Sequence, residues 1–577
     1  MKTLLSGNEA VARGAYEAGV EIAAAYPGTP STEIMEHIAA YKEIYAEWSV
    51  NEKVAFEVAF GGALGGKRGI AAMKHVGVNV ASDALMTVSY TGINGGLVIV
   101  SADDPGMHSS QNEQDNRYYA KMALIPMLEP SSSQEAKDFT ITAFEISEKY
   151  DTPVLLRLTT RISHGKGIVE LKDRCTPPER AYKKNEQKYV MIPAYARFRR
   201  EKIVKRLLHL EEYSETFKYN SIEINDTELG IISSGIPYQY AKEVFPNASF
   251  LKLGMTYPLP EKTLKKFAEQ VKKIYVIEEL EPYLEEQIRA LGIVVTGKEV
   301  LPRTGELSPE LIKKCLSGND KNKPVEPPLI LPKRPPVMCP GCSHRGVFYV
   351  LKKMKAIVSG DIGCYTLSTL PPLETMDTCI CMGASIGMAQ GLRRTVGTKQ
   401  KKRTVAVLGD STFIHSGIPS LVNAVYNQTN ITVVILDNRT TAMTGHQENP
   451  GTGKTLKGKN TPVFDFEGVA KAVGVNYVRI VDPMNIKETE KTIKEACSQR
   501  GVSVVISQRT CVLLDRKQFS GPLHIDIELC NECELCLRLG CPAISLKDGK
   551  LVIDSQLCNG CGLCAQVCNR DAILPEK

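Results

Sequence analysis

Residues 404–438 read TVAVLGDSTFIHSGIPSLVNAVYNQTNITVVILDN. Two apolar runs, Thr404–Leu408 and Thr432–Leu436, stand either side of a stretch of helix length. Unbroken aliphatic runs of this length suit strands buried on both faces, which occur in parallel sheets covered by helices. Each run ends on polar residues at its carboxyl end, Gly409-Asp410-Ser411 and Asp437-Asn438. Ligands of open parallel sheets bind at that end, near a topological switch point.

Outward from this stretch the alternation repeats. Gly95–Ser101 (GGLVIVS), Pro153–Leu158 (PVLLRL), Leu229–Ser233 (LGIIS), Lys273–Ile277 (KIYVI) and Ser503–Ser507 (SVVIS) read as further strands, with helical stretches such as Glu261–Lys272 between them. Strands alternating with helices imply right-handed crossovers and doubly wound sheets. At 577 residues the chain is too long for one hydrophobic core. The expected domains are 1–200, a smaller α/β unit over 201–320, a linker over 321–338, a further α/β domain over 339–520, and a short tail over 521–577. The linker follows from Pro324, Pro327, Pro328, Pro332, Pro335, Pro336 and Pro340, which exclude helix and central strand.

Net charge is only +6, and no Arg-rich arm is present, so nucleic acid is not expected as a partner. The basic run Arg393–Arg403 reads as a solvated helix end and loop. No leader pattern and no run long enough to span a bilayer is visible, and the expected location is the cytoplasm. Seventeen cysteines in a cytoplasmic chain point to metal rather than disulfides.

Eight of those cysteines lie in the tail. The first run is Cys530-x2-Cys533-x2-Cys536-x4-Cys541-Pro542, the second Cys558-x2-Cys561-x2-Cys564-x3-Cys568. Three closely spaced thiolates take three corners of a cubane cluster, and in two-cluster ferredoxins the fourth ligand comes from the other run. The expected sets are Cys530, Cys533, Cys536 and Cys568 for one 4Fe-4S cluster, and Cys541, Cys558, Cys561 and Cys564 for the other. The first run has one residue more than usual before its last cysteine, and Asn569 stands where proline is common, which alters loop shape rather than ligand count. Zinc knuckles use paired rather than triple C-x-x-C units. The fold class expected is therefore α/β, with several doubly wound parallel-sheet domains and a small C-terminal ferredoxin-like α+β domain holding two clusters.

At the two strand ends, a carboxylate and an amide suit Mg2+, which takes oxygen ligands and shares them with phosphates. Gly409 lets a diphosphate approach the backbone. This arrangement resembles the diphosphate-binding motif of thiamine-diphosphate enzymes, which implies Mg2+ on Asp410 and Asn438 together with the Thr440 carbonyl. Asn51-Glu52-Lys53 opens a helical stretch, NEKVAFEVAFGGALGGKR, that resembles the segment supplying the activating glutamate of those enzymes. There Glu52 bonds the aminopyrimidine ring and so promotes loss of the thiazolium C2 proton. Its competing role is to complement the helix dipole, and Glu57 is a second candidate one turn on. Met382, in Cys381-Met-Gly-Ala-Ser-Ile-Gly387, is the candidate apolar prop beneath the cofactor.

With Tyr26-Pro-Gly-Thr-Pro-Ser-Thr-Glu33, Cys339-Pro-Gly-Cys-Ser-His344 and Gly360-Asp-Ile-Gly-Cys364 added, the whole chain resembles the alpha subunits of the indolepyruvate:ferredoxin oxidoreductase family. The resemblance implies that 1–200 binds the pyrimidine, that 201–320 is like the transketolase C-terminal domain, and that 339–520 binds diphosphate and Mg2+. It implies oxidative decarboxylation of an aryl-pyruvate to its acyl-CoA, with CO2 released and electrons passed through the tail clusters to an external ferredoxin. It also implies an anaerobic habit and a smaller beta subunit completing a heterodimer or its multiple. Alternatives are the same chemistry on another 2-oxoacid, or a non-catalytic iron–sulfur electron carrier. Cys339, Cys342, Cys364 and Cys511 follow the order of a further cluster site in the pyruvate relatives, and a third cluster there stands beside the alternative of buried thiols. Cys175, Cys315 and Cys497 read as structural. Thr29 and Arg161 are candidates for a substrate carboxylate, and His75, His164, His344, His415 and His446 lie near the motifs.

Overall fold

The computed structural model describes residues 1–317, 335–397, 403–517, 519 and 521–576. Residues 321–334 of the expected linker and 398–402 of the basic run lie outside the described residues. The chain divides into two compact units, Met1–Pro328 and Leu329–Lys577.

The first unit is built on a seven-stranded sheet. Its order is Met255–Tyr257, Met127–Leu128, Val154–Thr159, Leu97–Asp103, Gly69–Lys74, Ile22–Ala25, Tyr45–Trp48. All neighbours are parallel except the first pair. Every residue of Gly69–Lys74, Leu97–Asp103 and Val154–Thr159 is buried, including Arg157, whose charge is met by Asp103 and Glu129. From Ile22–Ala25 the chain goes first to the edge strand Tyr45–Trp48 and then back across to Gly69–Lys74. The crevice above Ala25 and Lys74 is thus a switch point, where helices depart to opposite sides.

A second sheet, in the order Lys273–Ile277, Asp226–Ser233, Ala248–Lys252, Ser221–Glu223, lies in the same unit. The boundary expected at residue 200 falls inside the helix Pro193–Ser214. The strand Met255–Tyr257, from the second block, completes the edge of the first sheet. One core joins both sheets, with Ile99, Met127 and Leu155 packed in the same cluster as Ile232, Leu251 and Tyr283. Burying a shared face stabilises two small layers that neither could stabilise alone.

The second unit holds a six-stranded, wholly parallel sheet. Its order is Thr378–Cys379, Ile357–Gly360, Thr404–Gly409, Thr432–Asp437, Ser503–Gln508, Tyr477–Val481. Its switch point lies between Ile357–Gly360 and Thr404–Gly409. The cysteine-rich tail forms two antiparallel pairs, Leu523–Ile525 with Ile573–Pro575 and Ile544–Lys547 with Lys550–Ile553. It is not a tethered module. Leu539, Ile544, Leu563 and Ile573 belong to the same core as Val347, Phe348, Leu351 and Val505 of the sheet domain. Asn559 donates to the Pro340 carbonyl at 3.0 Å, and Gln566 accepts from Ile486 N at 3.0 Å. Among the described residues no helix is long and apolar enough to cross a membrane.

Candidate functional site

Asp410 follows the strand Thr404–Gly409 and is buried. Its Oδ1 accepts from Ser411 N at 2.6 Å. Burial, and then the neighbouring Asp437 carboxylate, hold Asp410 well above the usual carboxylate range, although backbone N–H groups of Ser411, Thr440 and Arg439 oppose this. Asp437 is itself engaged, accepting from Gln508 Nε2 at 2.8 Å and pairing with Arg439 Nε at 3.1 Å. Asn438 and Thr440 are buried beside them, and the Asn438 carbonyl accepts from Cys511 N at 3.0 Å.

Two buried oxygens here, Asp410 Oδ2 and Thr440 Oγ1, have no hydrogen-bond partner among the described residues. An orphaned buried carboxylate oxygen costs stability unless a cation or donor meets it. The residues present therefore fit Mg2+ with a diphosphate. Thr440 contributes its N–H and an unpartnered hydroxyl to this corner.

Tyr365, not singled out in the sequence, and Asp361, within Gly360-Asp-Ile-Gly-Cys364, shape the crevice. Tyr365, buried, accepts from Gly409 N at 3.0 Å and donates to the Ile362 carbonyl at 2.8 Å. A Cβ on residue 409 would stand 3.0 Å from the Tyr365 ring, so the ring holds the glycine turn from behind. Asp361, at the end of Ile357–Gly360, accepts from Gly383 N at 3.0 Å and Ser385 N at 3.1 Å. Burial pushes it up to about 6. It anchors the turn carrying Met382, which is half-buried at the start of the helix Ala384–Leu392. Asp361 directly follows the strand Ile357–Gly360, and that strand-end position was the signal that could have found it; Tyr365, in the turn Cys364–Thr369, carried none.

The cysteines gather into three sets. Cys530, Cys533, Cys536 and Cys568 line one small cavity together with Ile525, Leu551 and Ile573. Burial, then neighbouring Cys561, Cys541 and Cys558, push Cys564 up to about 12. Burial likewise pushes Cys342 up to about 12, with Cys339 and Cys364 adding to it. Cys364 is raised to about 11 by burial and by Cys511 and Cys339. Cys511 also feels Asp410, and its Sγ lies 3.7 Å from His446 Nε2. Crowded, buried thiols of this kind hold their protons until a metal displaces them. Among the described residues no three His, Cys, Asp or Glu side chains stand at the spacing of a single bare ion. The sets are thus defined by mutual influence and by a shared cavity. Of the isolated cysteines, Cys175 is exposed near Arg68, and Cys497 accepts from Thr432 Oγ1 at 3.4 Å.

In the first unit, Asn51 caps the helix Glu52–Leu64 by accepting from Val54 N at 2.9 Å. Glu52 is buried rather than solvated at the helix end. The rival Glu57 is exposed and paired with Lys53, which makes it a surface residue. Glu52 lies against the first turn of the helix His75–Thr91, which starts at the switch-point crevice. Lys74 ends the adjacent strand, donates to the Ser109 carbonyl at 2.6 Å, and is lowered by burial to about 8. His75 is buried, with Nε2 3.3 Å from Asn112 Oδ1 and Nδ1 lacking a partner among the described residues.

Other candidates are placed less favourably. Arg161 is exposed and engaged by Glu306 at 2.7 and 2.8 Å, so it is no open carboxylate receptor. The Thr29 carbonyl accepts from Ser109 Oγ at 3.3 Å. His164 pairs with Glu33 at 3.7 Å, and His415 Nδ1 is 2.6 Å from Ser416 Oγ. His344 is buried, lowered to about 4 by burial, and stands edge-on to Tyr365.

Comparison with known proteins accords with this layout. Residues 13–228 match the family described as pyruvate flavodoxin/ferredoxin oxidoreductase, thiamine diP-binding. Residues 361–507 match the C-terminal TPP-binding domain of thiamine pyrophosphate enzymes. Residues 551–574 match a 4Fe-4S binding domain, which takes in only the second cysteine run. The chain is 45% identical to indolepyruvate oxidoreductase subunit IorA of Pyrococcus horikoshii, over 94% of this chain and 92% of that one. It is 42% identical to the IorA subunit of Methanothermobacter marburgensis, over 100% and 97%. The 2-oxoglutarate synthase subunit KorA of the same organism is 26% identical over 52% of this chain and 94% of its own.

Proposed function

The chain belongs to the family of indolepyruvate oxidoreductase IorA subunits, and on that premise we propose that it is the alpha subunit of an enzyme oxidising indolepyruvate and related aryl-pyruvates. The acyl group would pass to coenzyme A, CO2 would leave, and an external ferredoxin would take the electrons. A smaller beta subunit would complete the assembly, and the enzyme would act in the cytoplasm.

The observation that carries this reading is one crevice of the second unit. Orphaned oxygens of Asp410 and Thr440 stand there beside Cys511, which belongs to the Cys339 set. Asp410 and Asn438 would hold Mg2+, Gly409 would leave room for the diphosphate, and Met382 would support the cofactor. Bound thiamine diphosphate supplies a nucleophilic carbon and an electron sink for decarboxylation. Glu52 would hold the pyrimidine by a hydrogen bond, and its burial keeps water from competing for that bond. The tail sets Cys530, Cys533, Cys536, Cys568 and Cys541, Cys558, Cys561, Cys564 would each hold a 4Fe-4S cluster. The Cys339, Cys342, Cys364, Cys511 set would hold a third, next to the cofactor.

The test is anaerobic reduction of a viologen dye by the protein with its beta subunit, coenzyme A and a panel of 2-oxoacids. Indolepyruvate and phenylpyruvate should exceed pyruvate and 2-oxoglutarate by at least tenfold in kcat/KM. Preference for a small or dicarboxylic acid would sink the substrate reading. Failure with every 2-oxoacid would favour a bare electron carrier.

A further inference from the structure

Arg345 opens the helix Arg345–Met354 and is 1% exposed. On one side its Nη2 donates to the carbonyls of Met338 at 2.8 Å and Cys339 at 3.0 Å. On the other its Nη1 donates to the Leu539 carbonyl at 2.7 Å, two residues before Cys541. Every hydrogen bond that it makes among the described residues goes to a carbonyl oxygen, and its Nε has no partner there. A guanidinium taken out of water and met only by neutral dipoles is costly, so its surroundings call for negative charge.

The negative charge available is sulfur. The carbonyls that hold Arg345 belong to the loops of two cysteine sets, Met338 and Cys339 in one and Leu539, two residues before Cys541, in the other. A cluster with four thiolate ligands carries net negative charge, and more of it when reduced. Nearby charge and hydrogen bonding set its potential.

We infer that Arg345 is a positioning residue for electron transfer, its guanidinium locked between the Cys339 loop and the Cys541 loop as one positive charge shared by two neighbouring clusters. It would raise the potentials of both together, while no carbonyl within two residues of a Cys530-set cysteine accepts from it among the described residues. With clusters held by Cys339, Cys342, Cys364 and Cys511 and by Cys541, Cys558, Cys561 and Cys564, the two sets would exchange one electron at a time past Arg345. No bond breaks and no proton moves; the electron originates in the 2-oxoacid and ends on the external ferredoxin. The inference rests on the proposed clusters.

The test is equilibrium redox titration followed by electron paramagnetic resonance, on the anaerobic complex with the beta subunit. Wild type, Arg345→Lys and Arg345→Gln are compared. In Arg345→Gln the reduced-to-oxidised ratio at a fixed potential should fall about tenfold for two clusters, which for one electron is about 59 mV. The third cluster should be unmoved, and Arg345→Lys should retain most of the wild-type potentials. A purely structural arginine would leave potentials unchanged in every variant that folds, which would overturn the inference. Should Arg345→Gln not fold, the fully reduced wild type decides instead. Spin coupling between the Cys339-set and Cys541-set clusters is expected, and its absence overturns the proposed adjacency. About eight irons per chain instead of about twelve would remove the Cys339-set cluster and the inference with it, but leave the two-cluster tail standing. No iron at all would instead sink the underlying functional reading.

Discussion

Glu52 lies directly over Gly77: a Cβ on residue 77 would stand 2.6 Å from Glu52 Cγ and 2.8 Å from its Oε1. The glycine therefore sets how closely the carboxyl group approaches the first turn of the helix His75–Thr91. Gly77→Ala should push Glu52 out of line by a few tenths of an ångström or more. Because small displacements of reacting groups are costly, 2-oxoacid-dependent dye reduction should fall about tenfold to a hundredfold. Circular dichroism should remain that of the wild type. Unchanged turnover would separate Glu52 from the chemistry.

Asp410 bears on cofactor-linked stability. Asp410→Asn removes a buried carboxyl group that lies beside Asp437 and has an orphaned oxygen. Without ligand the variant should melt no lower than wild type. Adding Mg2+ and thiamine diphosphate at a hundredfold excess over Kd should stabilise the wild type by about 2.7 kcal/mol. The variant should gain almost nothing, as read by differential scanning fluorimetry.

Tyr365 offers a test of the support behind the glycine turn. Tyr365→Phe leaves Gly409 N without its acceptor in a buried place. The cost should be about 1–3 kcal/mol by urea denaturation. Affinity for thiamine diphosphate should weaken at the same time.

Glu279 makes the first unit sensitive to pH. Burial, partly offset by the Leu307 N–H and Arg157, raises its carboxyl group to about 7. The folded state then binds this proton more tightly than the unfolded chain does. Stability from this group is full below the ordinary carboxylate range and is lost as pH rises toward 7. The loss is on the order of 3 kcal/mol. Glu279→Gln keeps an acceptor for Leu307 N and should abolish that slope. Its melting temperature should exceed wild type at pH 8 but not at pH 4.5.

Cys511→Ser separates the cysteine sets. It should lower iron from about twelve to about eight per chain, with the ferredoxin-type signals of the tail intact. Loss of tail iron instead would mean that the Cys339 set holds no cluster of its own.

Much of the architecture was legible because its signals are local. Unbroken aliphatic runs such as Thr404–Leu408 can only be strands buried on both faces, and C-x-x-C-x-x-C is a ligand pattern whatever surrounds it. The helix opening at Asn51-Glu52-Lys53 follows from adjacent residues alone. The contacts of Tyr365 and Asp361 were not legible. Their partners lie 22 to 44 residues away, at Gly383 and Gly409, and no spacing rule joins them. The same holds for Arg345, whose meaning depends on Leu539, 194 residues later.

The amino-acid order determined the strands, the helices and the thiol runs, since each rests on side-chain period and on contacts within a few residues. Only tertiary structure decided that the tail shares a core with the parallel sheet, that Glu57 faces water while Glu52 does not, and that Cys364 and Cys511 meet beside Asp410. Burial and electrostatic neighbourhood are properties of packing in three dimensions, and packing joins residues without regard to their distance along the chain.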